Sequence, residues 1–142
     1  MAVYSLANLT TGTANATAAI ELRTAATDRV SVTEIGAFLN AATASLIGIG
    51  RPAAIGITPT TPITWLAEDP ANPAGTAQTA LAWGTGPTAP TNFFRRVNVP
   101  ATIGAGFVLT FPRGLVIAVS SSIVLWNLQL NSALNCHFVG DE

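Results

Sequence analysis

At 142 residues the chain has the length of one domain, enough to bury a continuous core without disulfides or metals. Only 9% of residues are charged, lysine is absent, and the formal net charge is −1, against roughly 25% charged residues in an ordinary soluble domain. With no basic cluster, the counterion release that drives nucleic-acid binding is missing, which speaks against direct DNA or RNA contact, and 49% apolar residues predict an oligomer that covers part of its surface by association.

Residues 1–17 read as an N-terminal arm or edge strand, in which Ala2–Asn8 is placed to pair with a neighbouring chain's sheet edge. The opening Met1-Ala2-Val3-Tyr4-Ser5 lacks the basic start and apolar run of a secretory signal, so export by that route is not expected. Residues 18–142 read as a single β-sandwich domain. Ala18–Thr24 alternates, with Ile20 and Leu22 on one face and Glu21 and Arg23 on the other, the pattern of a half-solvated strand. Thr27-Asp28 is a turn. From Arg29 onward Val30 and Val32 share a face, then the phase slips so that Ile35, Ala37 and Leu39 do; one extra residue near Thr33-Glu34, a β-bulge, produces such a slip. Ala41–Ile49 continues as a Gly-containing strand or a short turn, with a single helical turn at its Ala-rich start as the alternative.

Residues 50–91 are the least regular, with prolines at 52, 59, 62, 70, 73, 87 and 90. Ile63–Leu66 and Ala77–Trp83 are the apolar stretches within it, read as strands joined by exposed loops. The pattern then sharpens into Asn92–Val99, Gly106–Phe111, Gly114–Val119, Ile123–Leu130 and Leu134–Val139, with Phe111-Pro112-Arg113-Gly114 as a turn or kink between two strands. The total is eight to ten strands, the spacing of a sandwich or barrel. The uncharged stretch 114–140 is interrupted by Ser120-Ser121-Ser122, Asn127, Gln129, Asn131 and Ser132, so a membrane helix of about 20 apolar residues is not predicted.

The catalytic inventory is thin. Seven carboxylates and one histidine are the candidates for acid–base work. Cys136 and His137 are adjacent on a strand, point to opposite faces, and have no second Cys or His to complete a zinc site. Cys136 reads as a small buried hydrophobe. Glu68-Asp69 reads as a solvated turn rather than a calcium site, and Gly48-Ile49-Gly50 and Gly84-Thr85-Gly86 as turns rather than phosphate cradles. No cofactor and no metal is expected.

The interface candidates are Phe93, Phe94, Arg95 and Arg96, two aromatics beside two guanidiniums, with Arg113, Trp83, Trp65 and Trp126 as weaker members. On a regular strand Phe94 and Arg96 share one face, Phe93 and Arg95 the other. Trp126 reads as core.

Ala67-Glu68-Asp69-Pro70, Ala82-Trp83-Gly84-Thr85, Asn92-Phe93-Phe94-Arg95-Arg96, Pro112-Arg113-Gly114-Leu115 and Leu125-Trp126-Asn127 together resemble small virion structural proteins of tailed bacteriophages. That resemblance implies a jelly-roll β-sandwich, commonly trimeric, that decorates a capsid and has the major capsid protein or another virion protein as its partner. The resemblance places it in the virion, assembled in the host cytoplasm, and supplies no catalytic residues. The alternative is a glycan- or receptor-binding jelly roll of a tail fibre or cell surface, gripping through Trp83 or Trp65. A cupin-like enzyme would need several metal-binding histidines, and the sequence has one.

Overall fold

A strand whose alternate residues are apolar has one face to bury, and two such sheets can bury each other. The computed structural model describes residues 2–12, 16–129 and 133–142, and within them it contains strands and no helix. Strands β1 (Val3–Leu9), β3 (Val30–Leu39), β11 (Gly106–Ile117) and β13 (Leu134–Asp141) form one sheet in the order β11-β3-β13-β1. Strands β2 (Thr17–Arg23), β4 (Ser45–Gly50), β10 (Phe93–Val99) and β12 (Ser122–Asn127) form the other in the order β10-β4-β12-β2. Every pairing is antiparallel. Leu6, Ile35, Leu39 and Phe138 from the first sheet meet Ile20, Leu22, Ile47, Ile49, Ile123 and Leu125 from the second in one core, which makes the fold a β-sandwich.

Between β4 and β10 lies a long insertion, residues 51–92, carrying five short strands: β5 (Ile57–Thr60), β6 (Ile63–Thr64), β7 (Leu66–Ala67), β8 (Gln78–Ala80) and β9 (Ala82–Thr85). Strands β8 and β6 extend the second sheet beyond β2, β7 extends the first beyond β1, and β5 pairs with β9 as a separate ribbon. Proline cannot donate to a ladder, so this segment contributes strands only two to four residues long. Trp65, between β6 and β7, is 1% exposed. It closes the edge where the chain steps from one sheet to the other, stacked on Tyr4 with ring centroids 5.4 Å apart.

The phase slip read at Thr33-Glu34 is present: Val139 faces Glu34 while the next residue, Gly140, faces Val32, leaving Thr33 as the extra residue. Strand β11 answers with a larger irregularity at the same level. Thr110 pairs with Glu34 and Leu115 with Val32, so Phe111-Pro112-Arg113-Gly114 bulges out against the single Thr33. Gly114 sits at φ +68°, a conformation glycine adopts without a Cβ penalty. Gly106–Phe111 and the residues after Gly114 are therefore one interrupted strand rather than two, because both halves pair with the same β3.

Other expectations change as well. Ala2–Asn8, read as an arm reaching a neighbour, lies mostly in β1, which is paired over seven residues with β13 and briefly with β7. Gly48 and Gly50 lie inside β4 rather than in a turn, and the ring of Phe93 passes over Gly48, where a Cβ would stand 2.5 Å from it. Residues 41–44 form a loop ahead of β4 instead of a helical turn. Ala77–Trp83 divides between β8 and β9. The uncharged stretch 114–140 supplies the end of β11, β12 and most of β13, and among the described residues no helix is long and apolar enough to cross a membrane. Leu130, Asn131 and Ser132 lie outside the described residues.

Candidate functional site

At the edge of the sandwich formed by β10 and β11, the pairing with β4 decides which way the Phe-Phe-Arg-Arg cluster points. Phe93 pairs with Gly50 and Arg95 with Ile49, so Phe94 is an extra residue at a bulge. Directly opposed residues share a face, and Ile49 and Ile47 point into the core. Arg95 and Val97 therefore take the inward side at the sandwich rim, and Phe93 and Arg96 the outward side. The alternation expected for a regular strand is overturned by this one residue. Phe94 packs against the main core, and Phe93 joins a second, outer cluster with Val124 and Trp126.

Arg95, next to this bulge, and the β11 bulge line an open cleft of about 370 Å³, whose lining is Arg95, Thr110, Phe111, Pro112, Arg113 and Gly114. Two of the interface arginines thus come together, on different strands, at one opening. Arg51, which the sequence did not mark, joins the same edge: its guanidinium lies 4.9 Å from the Phe94 ring centroid, and Nη2 donates to the Val116 carbonyl at 2.8 Å. Arg95 Nη1 donates to the Phe94 carbonyl at 2.8 Å. Arg51, Arg95, Arg96 and Arg113 are all exposed, so four of the six arginines surround this edge. Arg51 follows β4 directly, which is the only positional signal that could have linked it to β10.

The carboxylates are distributed differently. Five of the seven are buried or half-buried, while Glu68 and Asp69 are exposed. They follow β7, on the edge opposite β10 and β11. The turn there is held by Asn72 N–H donating to Asp69 O at 3.0 Å and by Ala71 N–H donating to Asp69 Oδ1 at 2.9 Å.

Trp83 sits elsewhere, on the outer face of the second sheet. Its indole N–H donates to Glu21 Oε2 at 2.7 Å. Glu21 is fully buried, not half-solvated as its alternation suggested, because the insertion covers that face of β2. Its Oε1 also accepts from Gly56 N–H at 3.1 Å and Ser122 Oγ at 2.6 Å, and Arg23 Nη1 lies 3.6 Å from Oε2. A buried carboxylate so fully bonded is held in place as structure. Beside it, Trp83 and Trp126 line a cleft of about 200 Å³ with Ala16, Thr17, Ala18, Gly86 and Pro87. Trp126 is buried, in this outer cluster rather than the main core.

A second indole–carboxylate pair fastens the insertion at its other end. Trp65 Nε1–H donates to Glu142 Oε2 at 2.6 Å, Thr76 N–H donates to the same carboxylate at 2.9 Å, and the Thr76 hydroxyl bonds to Glu142 Oε1. Trp65 is thus unavailable to a glycan.

Cys136 points into the core and His137 out of it, as strand alternation requires. Burial pushes the Cys136 thiol up to about 12, which leaves it un-ionised and a poor nucleophile. His137 Nε2 lies 2.9 Å from Glu34 Oε1. Among the described residues, no three His, Cys, Asp or Glu side chains gather as a metal site. No family model, no curated protein and no solved structure matches this chain.

Proposed function

We propose that this chain is a non-enzymatic building block of a phage particle: a jelly-roll β-sandwich that forms trimers and decorates the capsid by docking on the major capsid protein or another virion protein. The observation that carries the architectural part is the strand order. The eight long strands place β1-β13-β3-β11 opposite β2-β12-β4-β10, with successive strands alternating between sheets except where β10 follows the insertion beside β4. Nested Greek keys of this kind make up a jelly roll. The assembly part is supported by a low charge content and by exposed aliphatics at both sandwich edges: Val108 and Val116 on β11, Ile63 and Leu66 on β6 and β7. The phage setting rests on the resemblance of the sequence alone.

The test is the mass of the purified chain by light scattering at micromolar concentration. Three chains per particle is the expected result, and a single-chain mass would contradict it.

The Trp83–Trp126 cleft supports a glycan- or receptor-binding module as the second reading, with the half-buried Trp83 in its lining. Its volume lies below the roughly 300–1,000 Å³ of typical small-molecule sites, which favours assembly. A glycan array on which Trp83→Ala abolishes a specific signal would reverse that preference.

A further inference from the structure

We propose that the cleft between Arg95 and Arg113 receives the Glu68-Asp69 turn of a second copy of this chain, so that molecules join head to tail. The inference rests on the assembly reading above and names which two surfaces meet.

Charge complementarity carries it. Arg95 and Arg113 line the cleft and Arg51 stands beside it over Phe94, all three exposed, whereas Glu68 and Asp69 are the two exposed carboxylates of the chain. Because they occupy opposite edges of the sandwich, a molecule cannot satisfy its own cleft, and only another copy can bring the turn to it. Two guanidiniums facing two carboxylates can form charge-assisted, bidentate hydrogen bonds.

The surroundings match as well. Strand β11 ends its sheet and exposes Val108 at 47% and Val116 at 46%. Beside the acidic turn, Leu66 is 71% exposed and Ile63 46%. Each edge therefore offers aliphatic surface next to its charges, so contact would bury apolar area while the ion pairs fix register. The turn is already shaped: Glu68 N–H donates to Val3 O at 2.9 Å, and Pro70 follows Asp69 with its φ fixed. A preorganised loop loses less conformational freedom on docking. Different surfaces meeting in this way make a heterologous contact, which closes into a ring when the rotation between neighbours permits.

The experiment measures particle mass for the wild type, R95E/R113E, E68R/D69R and the fourfold variant that carries both changes. All four positions are exposed, and circular dichroism with thermal melting establishes that each chain is folded. The expected result is that each double variant associates at least about tenfold more weakly, the scale of about 1.4 kcal/mol, and that the fourfold variant, with its charges exchanged, regains the wild-type mass. Added salt should weaken wild-type association in the same direction. If the wild type assembles and both double variants keep its mass, this pairing is overturned while the assembly reading stands. Loss in the double variants without recovery in the fourfold variant also overturns it. A wild type that stays a single chain at every concentration removes both.

Discussion

The two edges of the sandwich are built from similar material and finished differently. At the β6–β7 edge the insertion has crossed the molecule, Trp65 fills the gap between the sheets, and Glu142 satisfies its indole and the Thr76 amide. At the β10–β11 edge the aromatics that pack against the core, Phe94, Phe107 and Phe111, are only partly buried. Each of that edge's two strands carries a bulge, and Arg95 and Arg113 line the open cleft there. An edge that a chain closes with its own residues contributes to its stability. An edge left open, with unpaired strand groups and charges of one sign, is suited to a partner. Mutations at the first should therefore unfold the protein, and mutations at the second should leave it folded and alter what it binds.

The largest expected effect is at the plug. Trp65→Ala removes a 1% exposed indole and should cost about 4 kcal/mol in chemical denaturation, within the range for large core aromatics. A loss below about 1 kcal/mol would mean that the edge is not closed by this residue. Next is Glu21→Ala, which strips the partner from Trp83, Gly56 and Ser122 and leaves Arg23 beside an emptied site. About 3 kcal/mol is expected, because the abandoned donors stay buried. Glu142→Ala should cost about 1–2 kcal/mol by the loss of hydrogen bonds to a charged group, with faster hydrogen exchange at Thr76 as its local signature. Arg95→Ala and Arg113→Ala, at the open edge, should change stability by less than about 0.5 kcal/mol while lowering particle mass. Equal destabilisation at both edges would remove the distinction between them.

The pH dependence contains one further expectation. Cys136 has its thiol pushed from 9.0 to about 12 by burial. Above pH 9 the unfolded chain loses this proton while the folded chain keeps it, so the folded state binds more protons and stability falls as pH rises from about 9 towards about 12. Cys136→Ala should flatten that slope, measured by denaturation at two alkaline pH values. At neutral pH the native thiol should resist alkylation until the chain is unfolded.

Much of the sandwich was legible because alternation is a local signal. Ile20 with Leu22, Val30 with Val32, and Ile35 with Ala37 and Leu39 each announce an inward face, and the slip between the last two groups marked the bulge at Thr33. The insertion was not legible in the same way. Its prolines cut the strands to fragments, and the placement of Trp65 and Trp83 depends on carboxylates 77 and 62 residues away in sequence. The Phe-Phe-Arg-Arg cluster was found by composition, but its orientation was misread, since the extra residue at Phe94 is set by pairing with β4 and leaves no mark in β10 itself. Arg95 and Arg113 were picked separately, and only the fold brings them to one cleft.

The claim that the open edge is where molecules meet is tested most directly by hydrogen exchange of the wild-type chain at low and high protein concentration. Concentration-dependent protection is predicted at residues 93–97 and 108–116 and, on the opposite edge, at 66–72. Protection confined to the Trp83–Trp126 face, or exchange that is the same at both concentrations, would contradict it.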